Sequence, residues 1–195
     1  MTEQLHPEAI ETDITTPSKD TICDPRFWRR RLREAERAGQ LHFSVFKCPL
    51  DRWQRIEQKH GRILRGYVKI DTDILDAGCG WGRLANLLPE WWRGHYVGVD
   101  IAPAFIEKAE RDWEAKDHWP QIQFFQWDLR APLTFFPGHD RKVFDLAIFT
   151  SMKHMILRHR GEDDWNKMHA NVARVSERIL YLEYDEDDPG TLEEL

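Results

Sequence analysis

Short apolar runs and longer segments of helical periodicity alternate along most of the chain. The apolar runs predict one strand that begins at Ile74 and four more at 96–100, 123–129, 143–151 and 178–184. The helical spacing predicts helices at 103–116 and 162–175. Strands that alternate with helices form a parallel sheet with both faces covered. The pattern therefore predicts an α/β fold with a doubly wound, mostly parallel, five-stranded sheet and helices on both faces.

Helices are also predicted before the first strand. Asp24 and Pro25 are a typical N-cap and first helical residue, and Gly39 is a typical stop signal. Asp51 predicts the cap of a second helix that runs to about Gly66. The expected division of the chain is a disordered arm at 1–23, N-terminal helices with a lid segment at 24–66, a ligand-binding domain at 67–185 and an acidic tail at 186–195.

Three glycines, Gly78, Gly80 and Gly82, follow the first strand at alternate positions. Glycine belongs where the backbone takes a positive φ or lies against a ligand, so this segment predicts a ligand-binding loop. The dinucleotide fingerprint G-x-G-x-x-G would need a third glycine where this chain has Arg83, and no G-x-x-x-x-G-K-[ST] phosphate loop is present. The carboxylate of Asp76 would repel a pyrophosphate and attract an ammonium group.

Further acids follow the next two predicted strands. Asp100 ends the second strand, near the distance from the glycines at which a doubly wound fold places its ribose-binding acid. Asp128 comes at the end of the third apolar run, and the fourth run ends at Thr150 and Ser151. The carboxyl ends of parallel strands share one edge of a sheet, so these side chains are expected to lie near one another.

The D-x-G-x-G-x-G pattern from Asp76, with the acids and strands that follow over residues 74–151, resembles the class I S-adenosylmethionine-dependent methyltransferases. The resemblance implies a Rossmann-like fold with S-adenosylmethionine as cofactor. It implies that Asp76 and the loop hold the methionine end, that Asp100 accepts the ribose hydroxyls, and that Asp128 and a neighbouring amide hold the adenine. The cofactor-binding residues expected on this basis are Asp76, Ala77, Gly78, Cys79, Gly80, Trp81, Asp100, Ile101, Asp128, Leu129 and Thr150.

The implied activity is transfer of a methyl group to a small or medium-sized acceptor molecule. The loop after the fourth strand lacks the [DN]-P-P-[YF] motif typical of methyltransferases that act on base amines or glutamine, and it lacks an acid for a catalytic magnesium ion. No metal is therefore expected. His154 in this loop is a candidate general base, because imidazole titrates near neutral pH, although a structural histidine fits the same position.

Two other functions stay open. One is a subunit that binds the cofactor without catalysis and needs a partner. The other, weaker one is a nicotinamide-dependent oxidoreductase, which Arg83 and the lack of a Tyr-x-x-x-Lys set disfavour. Cofactor binding by a monomer that transfers no methyl group would favour the inactive subunit.

The last residues depart from the family pattern. A full member has two further strands after the fifth, but residues 185–195 are acidic and contain Pro189 and Gly190, so no strand pair is predicted. An uncovered fifth strand would expose a sheet edge, which proteins normally cover, charge or pair. The expected cover is a second copy of the chain, another partner, or the acidic tail.

The composition limits which partners and which cellular compartment are expected. The net charge of −6 disfavours nucleic acid as a partner. The cysteines at 23, 48 and 79 show neither metal spacing nor an even disulfide framework, which favours the cytoplasm. The apolar runs are too short to span a bilayer and the N-terminus lacks an apolar signal core, so no membrane partner is expected.

Overall fold

The computed structural model describes residues 24–114, 116, 121–135, 141–185, 187 and 189–195. The predicted arm at 1–23 lies outside these residues. Short 3-10 helices lie at Leu41–Ser44 and Leu84–Leu87. The longer elements, in chain order, are α1 Pro25–Arg37, α2 Leu50–Tyr67, β1 Ile74–Ala77, β2 Tyr96–Asp100, α3 Pro103–Glu114, β3 Ile122–Gln126, β4 Leu146–Thr150, α4 Met152–His159, α5 Glu162–Ala173, β5 Arg178–Leu182 and β6 Thr191–Glu194.

The strands form one sheet in the order β3-β2-β1-β4-β5-β6. The first five are parallel, and β6 runs antiparallel to β5. The chain reverses its direction of winding between β1 and β4, which is where open parallel sheets bind ligands. The predicted doubly wound α/β fold is confirmed.

The sheet separates two apolar cores. Successive residues of a strand point to opposite faces, so Leu75 lies in one core while Ile74 lies in the other. Helices α1, α4 and α5 cover the first core, α2 covers the second, and α3 contributes to both. All five residues of β4 are buried, as expected for a central parallel strand. Within the described residues, no helix is long and apolar enough to cross a membrane.

The N-terminal helices largely follow their sequence signals. The Asp24 carboxylate accepts a 2.9 Å hydrogen bond from the Arg26 backbone N–H, and Gly39 has a φ of +63° just beyond α1. The prediction that Asp51 caps α2 was wrong. The helix begins at Leu50 after Pro49, which has no capping side chain, and Asp51 lies in the first turn. A carboxylate there still stabilises the helix dipole.

The predicted number of five strands was also wrong, because the acidic tail contributes a sixth strand. Residues Thr191–Glu194 form β6 and pair with Arg178–Tyr181 of β5. Gly190, with a φ of +75°, lies immediately before the strand. The Glu193 carboxylate accepts a 2.6 Å hydrogen bond from the Tyr181 hydroxyl and lies 3.1 Å from His169 Nε2. These side-chain contacts fix a short, charged strand that hydrophobic pattern alone does not reveal, and β6 covers the edge of β5.

Glu193→Ala is expected to lower the free energy of unfolding by about 1 kcal/mol, because it removes the hydrogen bond from Tyr181 at a partly exposed site. Urea unfolding followed by circular dichroism measures the change. The matched control is Glu194→Ala, an exposed glutamate of the same strand, which should change stability by less than about 0.5 kcal/mol. Equal effects of the two variants would contradict this account of β6.

Candidate functional site

A cavity of about 580 Å³ opens at the carboxyl ends of β1, β2 and β4. Its volume lies within the range of small-molecule sites. The wall is formed by the glycine loop, the ends of the central strands, α1, α4 and the segment after β5. Its residues are Trp28, Val45, Phe46, Gly78, Gly80, Asp100, Ile101, Phe105, Trp127, Asp128, Leu129, Arg130, Thr150, Ser151, Met152, His154, Met155, Ile156, Met168, Glu183, Tyr184 and Asp185.

The glycine loop needs its glycines for both conformation and space. Gly78, Gly80 and Gly82 all have positive φ values, between +54° and +83°. A Cβ at Gly82 would lie 2.7 Å from the Phe124 ring, and one at Gly78 would overlap the Met152 sulfur. The loop therefore packs closely against the sheet on one side and faces the cavity on the other.

Asp100 ties the end of β2 to the glycine loop. One carboxylate oxygen accepts a 2.9 Å hydrogen bond from Gly80 N–H, and the other accepts a 2.8 Å bond from Ala102 N–H. Burial raises the pKa of Asp100 to about 6, although these two donors oppose the shift. The carboxylate lies on the cavity wall, where the sequence predicted a ribose-binding acid.

Asp76 lies behind the loop, on a second cavity of about 20 Å³. The two cavities adjoin, because they share the wall residues Val45, Gly78, Gly80, Thr150 and Tyr184. Only 1% of Asp76 is exposed, and burial raises the pKa of its carboxyl to about 7. The Tyr96 hydroxyl donates to Oδ2, whereas Oδ1 has no hydrogen-bond partner among the residues that the structure describes.

Unpaired polar atoms concentrate around this small cavity. Eight buried side-chain atoms of the described residues lack a hydrogen-bond partner, and four belong to residues that line it: Asp76 Oδ1, Trp81 Nε1, Arg83 Nη1 and Thr150 Oγ1. Buried polar groups are normally paired, and each unpaired one costs about 1–3 kcal/mol. Two N–H donors beside one carboxylate acceptor match the carboxylate and ammonium of an α-amino acid. In their hydrogen-bonding chemistry the residues at this end therefore match the methionine end of S-adenosylmethionine, whereas the small cavity itself has room for about one water molecule.

In the sequence, Arg83 was considered only because it stands where the dinucleotide fingerprint needs a glycine. In the structure it lines the small cavity. Its guanidinium is buried and donates from Nη2 to His60 Nδ1 at 3.0 Å, while Nη1 lies 4.0 Å from a carboxylate oxygen of Glu57. It also lies over the Trp53 ring at 5.3 Å and the Tyr184 ring at 5.5 Å. Burial and the nearby guanidinium lower the pKa of His60 to about 3, so this histidine is neutral.

Asp128 lies at the other end of the main cavity and is held by Arg130. Its two carboxylate oxygens accept hydrogen bonds of 2.9 Å and 2.6 Å from the Arg130 guanidinium. Burial alone would raise the pKa of Asp128, but these bonds hold it below the ordinary value. Asp164 lies 3.5 Å from the same guanidinium. Arg130, which sequence reasoning missed, thus fixes the acid predicted to contact adenine.

The side of the cavity formed by α4 and the segment after β5 carries apolar and polar side chains. The prediction of a loop here was wrong, because His154 lies in α4. The histidine is on the cavity wall with Nδ1 3.0 Å from Glu183 Oε2. The predicted lid, the segment 41–46 between the two N-terminal helices, contributes Val45 and Phe46 to the wall. The Phe46 ring stacks on Tyr184 with centroids 5.2 Å apart. Sequence reasoning missed several apolar wall residues, because each is an ordinary core residue in its own helix or loop: Phe105, Trp127, Met155, Ile156 and Met168.

The structure brings most of the predicted site residues together. The main cavity is lined by Gly78, Gly80, Asp100, Ile101, Asp128, Leu129, Thr150 and His154. Asp76, Cys79 and Trp81 line the small one, whereas Ala77 is buried in the first core and lines neither. Burial raises the pKa of the Cys79 thiol, so this cysteine is a poor nucleophile. Within the described ranges, no three His, Cys, Asp or Glu side chains come together as a metal site requires.

Comparison with known proteins assigns the family. The model of the family described as methyltransferase domain matches residues 74–178, more than half of the chain. The chain belongs to this family, which confirms the class I S-adenosylmethionine-dependent methyltransferase assignment made from the glycine loop and its acids.

Two curated relatives are similar to part of the chain. The malonyl-[acyl-carrier protein] O-methyltransferase of Acetivibrio thermocellus is 36% identical over 75 residues, which are 36% of this chain and 26% of that protein. The 2-heptyl-1-hydroxyquinolin-4(1H)-one methyltransferase of Mycobacteroides abscessus is 35% identical over 43% of this chain and 36% of that protein. The chain thus matches only about a quarter to a third of the length of these relatives.

Solved structures share the fold. The PH0226 protein from Pyrococcus horikoshii OT3 aligns with a TM-score of 0.56 and 24% identity, covering 72% of this chain and 64% of that one. The [4+2]-cyclase SpnF aligns with a TM-score of 0.52 and 15% identity, covering 64% of this chain and 44% of that one. At these identities the likeness shows the fold alone, so function must be argued from the site.

Asp76→Asn is expected to raise the melting temperature of the ligand-free protein by at least a few degrees at pH 8 and by clearly less near pH 5. The pKa of Asp76 in the folded protein is about 7, above the ordinary 3.8, so folding binds a proton. The cost of burying the charge is therefore full above pH 7 and is lost as the pH falls toward the ordinary value. Asparagine keeps an acceptor for Tyr96.

Differential scanning calorimetry at both pH values measures this difference. Asp112→Asn, on the outer face of α3, is the control and should behave alike at both pH values. A destabilised Asp76→Asn protein at pH 8 would show that the carboxylate charge is compensated within the fold.

Proposed function

We propose that this chain binds S-adenosylmethionine across the two cavities and transfers its methyl group to a small or medium-sized acceptor with an apolar body. The observation that carries the proposal is the set of unpaired buried atoms of Asp76, Trp81 and Arg83 beside the apolar main cavity. A fold without a ligand gains nothing from leaving these groups unpaired. Membership of the methyltransferase family supports the same cofactor.

Each end of the site has its own task in this proposal. Asp76 would accept from the ammonium group, while Trp81 Nε1 and Arg83 Nη1 would donate to the carboxylate. Asp100 would accept the ribose hydroxyls, and Asp128 with the Leu129 backbone would hold the adenine. The bound cofactor supplies a methyl group on a sulfonium, and the pair of electrons of its broken bond stays on sulfur.

The chain contributes mainly position and exclusion of water. Well-aligned reactants gain on the order of 7–11 kcal/mol from positioning alone. Charge is dispersed as a methyl group leaves a sulfonium, so the apolar wall formed by Trp28, Phe105, Trp127 and Met155 favours the reaction. His154 would take the proton of the acceptor.

The acceptor class is inferred from the wall and from the printed names of the relatives. The wall carries charged side chains, but most of its lining is apolar, so it suits an acceptor with an apolar body. One relative is named as an O-methyltransferase, and the other is named for a heptyl-substituted quinolinone. An oxygen acceptor agrees with the first name, and an apolar body agrees with the second. An apolar molecule with an ionisable oxygen would also give His154 a proton to remove.

Binding measurements can separate the two ends of the cofactor. Asp76→Asn should weaken binding of S-adenosylhomocysteine by about tenfold to a hundredfold, and Trp81→Phe, which removes one N–H, by about three- to tenfold. Neither should affect 5′-methylthioadenosine, which lacks the amino-acid end. Asp100→Ala should weaken binding of both ligands by about tenfold or more. Calorimetric titration measures the affinity of each of the three variants for both ligands. Equal losses of affinity for the two ligands in Asp76→Asn would contradict the assignment.

Turnover decides between an enzyme and an inactive subunit. Purified protein with methyl-labelled cofactor and a panel of hydroxylated and carboxylated apolar acceptors should transfer label to at least one of them. Light scattering of the same sample gives the mass, and so tests the predicted second copy or other partner. Cofactor binding without transfer by a monomer would favour the inactive subunit, and tight NAD binding without a response to S-adenosylhomocysteine would exclude the proposal.

A further inference from the structure

A histidine and a carboxylate from two different elements meet on the wall of the main cavity. His154 lies in α4 and Glu183 follows β5, with Nδ1 and Oε2 3.0 Å apart. We propose that Glu183 is a positioning residue that holds His154 with its proton on Nδ1, so that Nε2 accepts the proton of the methyl acceptor. This inference rests on the proposed function.

The tautomer follows from the chemistry of the two groups. A carboxylate only accepts hydrogen bonds, so the ring nitrogen that faces it must carry the proton. In the neutral imidazole the other nitrogen then has a free lone pair. A carboxylate also stabilises the imidazolium that forms when Nε2 takes a proton.

Positioning is needed because His154 is a surface side chain, 67% exposed. An imidazole this exposed is free to rotate and to exchange tautomers. The pairing with Glu183 restricts both the rotation of the ring and the exchange of tautomers. His159 of the same helix lies close enough to interact electrostatically with His154 and Arg158, and Asp185 lies on the same cavity wall.

The Glu183 backbone is itself fixed from α2 and α4. Its carbonyl oxygen accepts hydrogen bonds from His60 Nε2 at 3.0 Å and from Lys59 Nζ at 3.3 Å. The next residue, Tyr184, donates its N–H to the hydroxyl of Ser151 at 2.8 Å, and Ser151 directly precedes α4. Ser151 therefore joins the segment that carries Glu183 to the start of the helix that carries His154. Because of this connection, the ring and the carboxylate keep their relative position.

Two similar pairs lie elsewhere and do not line the cavity. His95 Nδ1 lies 3.0 Å from Asp73, and His169 Nε2 lies 3.1 Å from Glu193. The location of the His154 pair, rather than its geometry alone, therefore assigns it to the reaction. The proton passes from the acceptor atom to Nε2, and the electron pair left on that atom forms its bond to the methyl carbon.

The first test uses nuclear magnetic resonance and needs no acceptor. Long-range ¹H–¹⁵N spectra of the labelled protein, with and without S-adenosylhomocysteine, report which ring nitrogen carries the proton, and His154→Gln assigns the signals. The neutral ring should carry its proton on Nδ1 in the parent and lose this preference in Glu183→Ala. Asp73→Asn is the matched control, which should change only the His95 signals. A parent ring protonated on Nε2, or unchanged His154 signals in Glu183→Ala, would overturn the proposal.

The second test is kinetic and uses the acceptor found in the panel. His154→Gln should lower kcat by about a hundredfold, and Glu183→Ala by about tenfold, with KM and the affinity for S-adenosylhomocysteine nearly unchanged. The double variant should be no slower than His154→Gln, because Glu183 acts through the histidine. Additive losses would show that Glu183 acts independently. If the parent protein does not bind S-adenosylhomocysteine, the proposed function is wrong. The tautomer of His154 can still be measured in the ligand-free protein, so failure of the proposed function and failure of the Glu183 proposal are distinguishable.

Discussion

A carboxylate buried with only one of its two oxygens paired is the constraint on which the site depends. Asp76 is the penultimate residue of the central strand β1, beside the point where the chain reverses its direction of winding, and among the described residues only Tyr96 donates to it. A charge in this position is costly without compensation, and burial raises its pKa to about 7. The nearby Arg83 guanidinium opposes this rise in pKa only in part. In the proposed function, the ammonium group of the cofactor would supply the rest of the compensation.

The surroundings of Asp76 follow from the same constraint. Arg83 brings a second buried charge to the back of the site and is held by neutral His60. His60 in turn donates to the Glu183 carbonyl. One chain of contacts therefore links Arg83 to Glu183 through His60 of α2, and so connects the two ends of the site that the proposed function assigns to the cofactor and to the acceptor. The mostly apolar wall of the main cavity would suit the proposed methyl transfer, which disperses charge.

The sequence predicted the strands and the ligand edge well, because those depend on local patterns. β2 begins and ends where its apolar run does, and Asp100 lies on the cavity wall as its position after the strand implied. Predicted boundaries were too long elsewhere, since residues 127–129 and 143–145 have strand-like composition but no ladder partners in regular strands. Of the two further strands expected in a full family member, one is present. β6 escaped prediction because its stability comes from Tyr181 and His169, which are distant in sequence.

The site residues that escaped prediction are those whose role depends on a distant partner. Glu183 matters because it meets His154, 29 residues away, and Arg83 because it meets His60, 23 residues away. The central claim is that the amino-acid end of the cofactor completes the pairing of Asp76. The most direct measurement is a crystal structure of the complex with S-adenosylhomocysteine. The account predicts the ligand ammonium within hydrogen-bond distance of Asp76 Oδ1 and its carboxylate near Trp81 Nε1 and Arg83 Nη1. A ligand whose amino-acid end lies elsewhere, with Asp76 Oδ1 still unpaired, would contradict it.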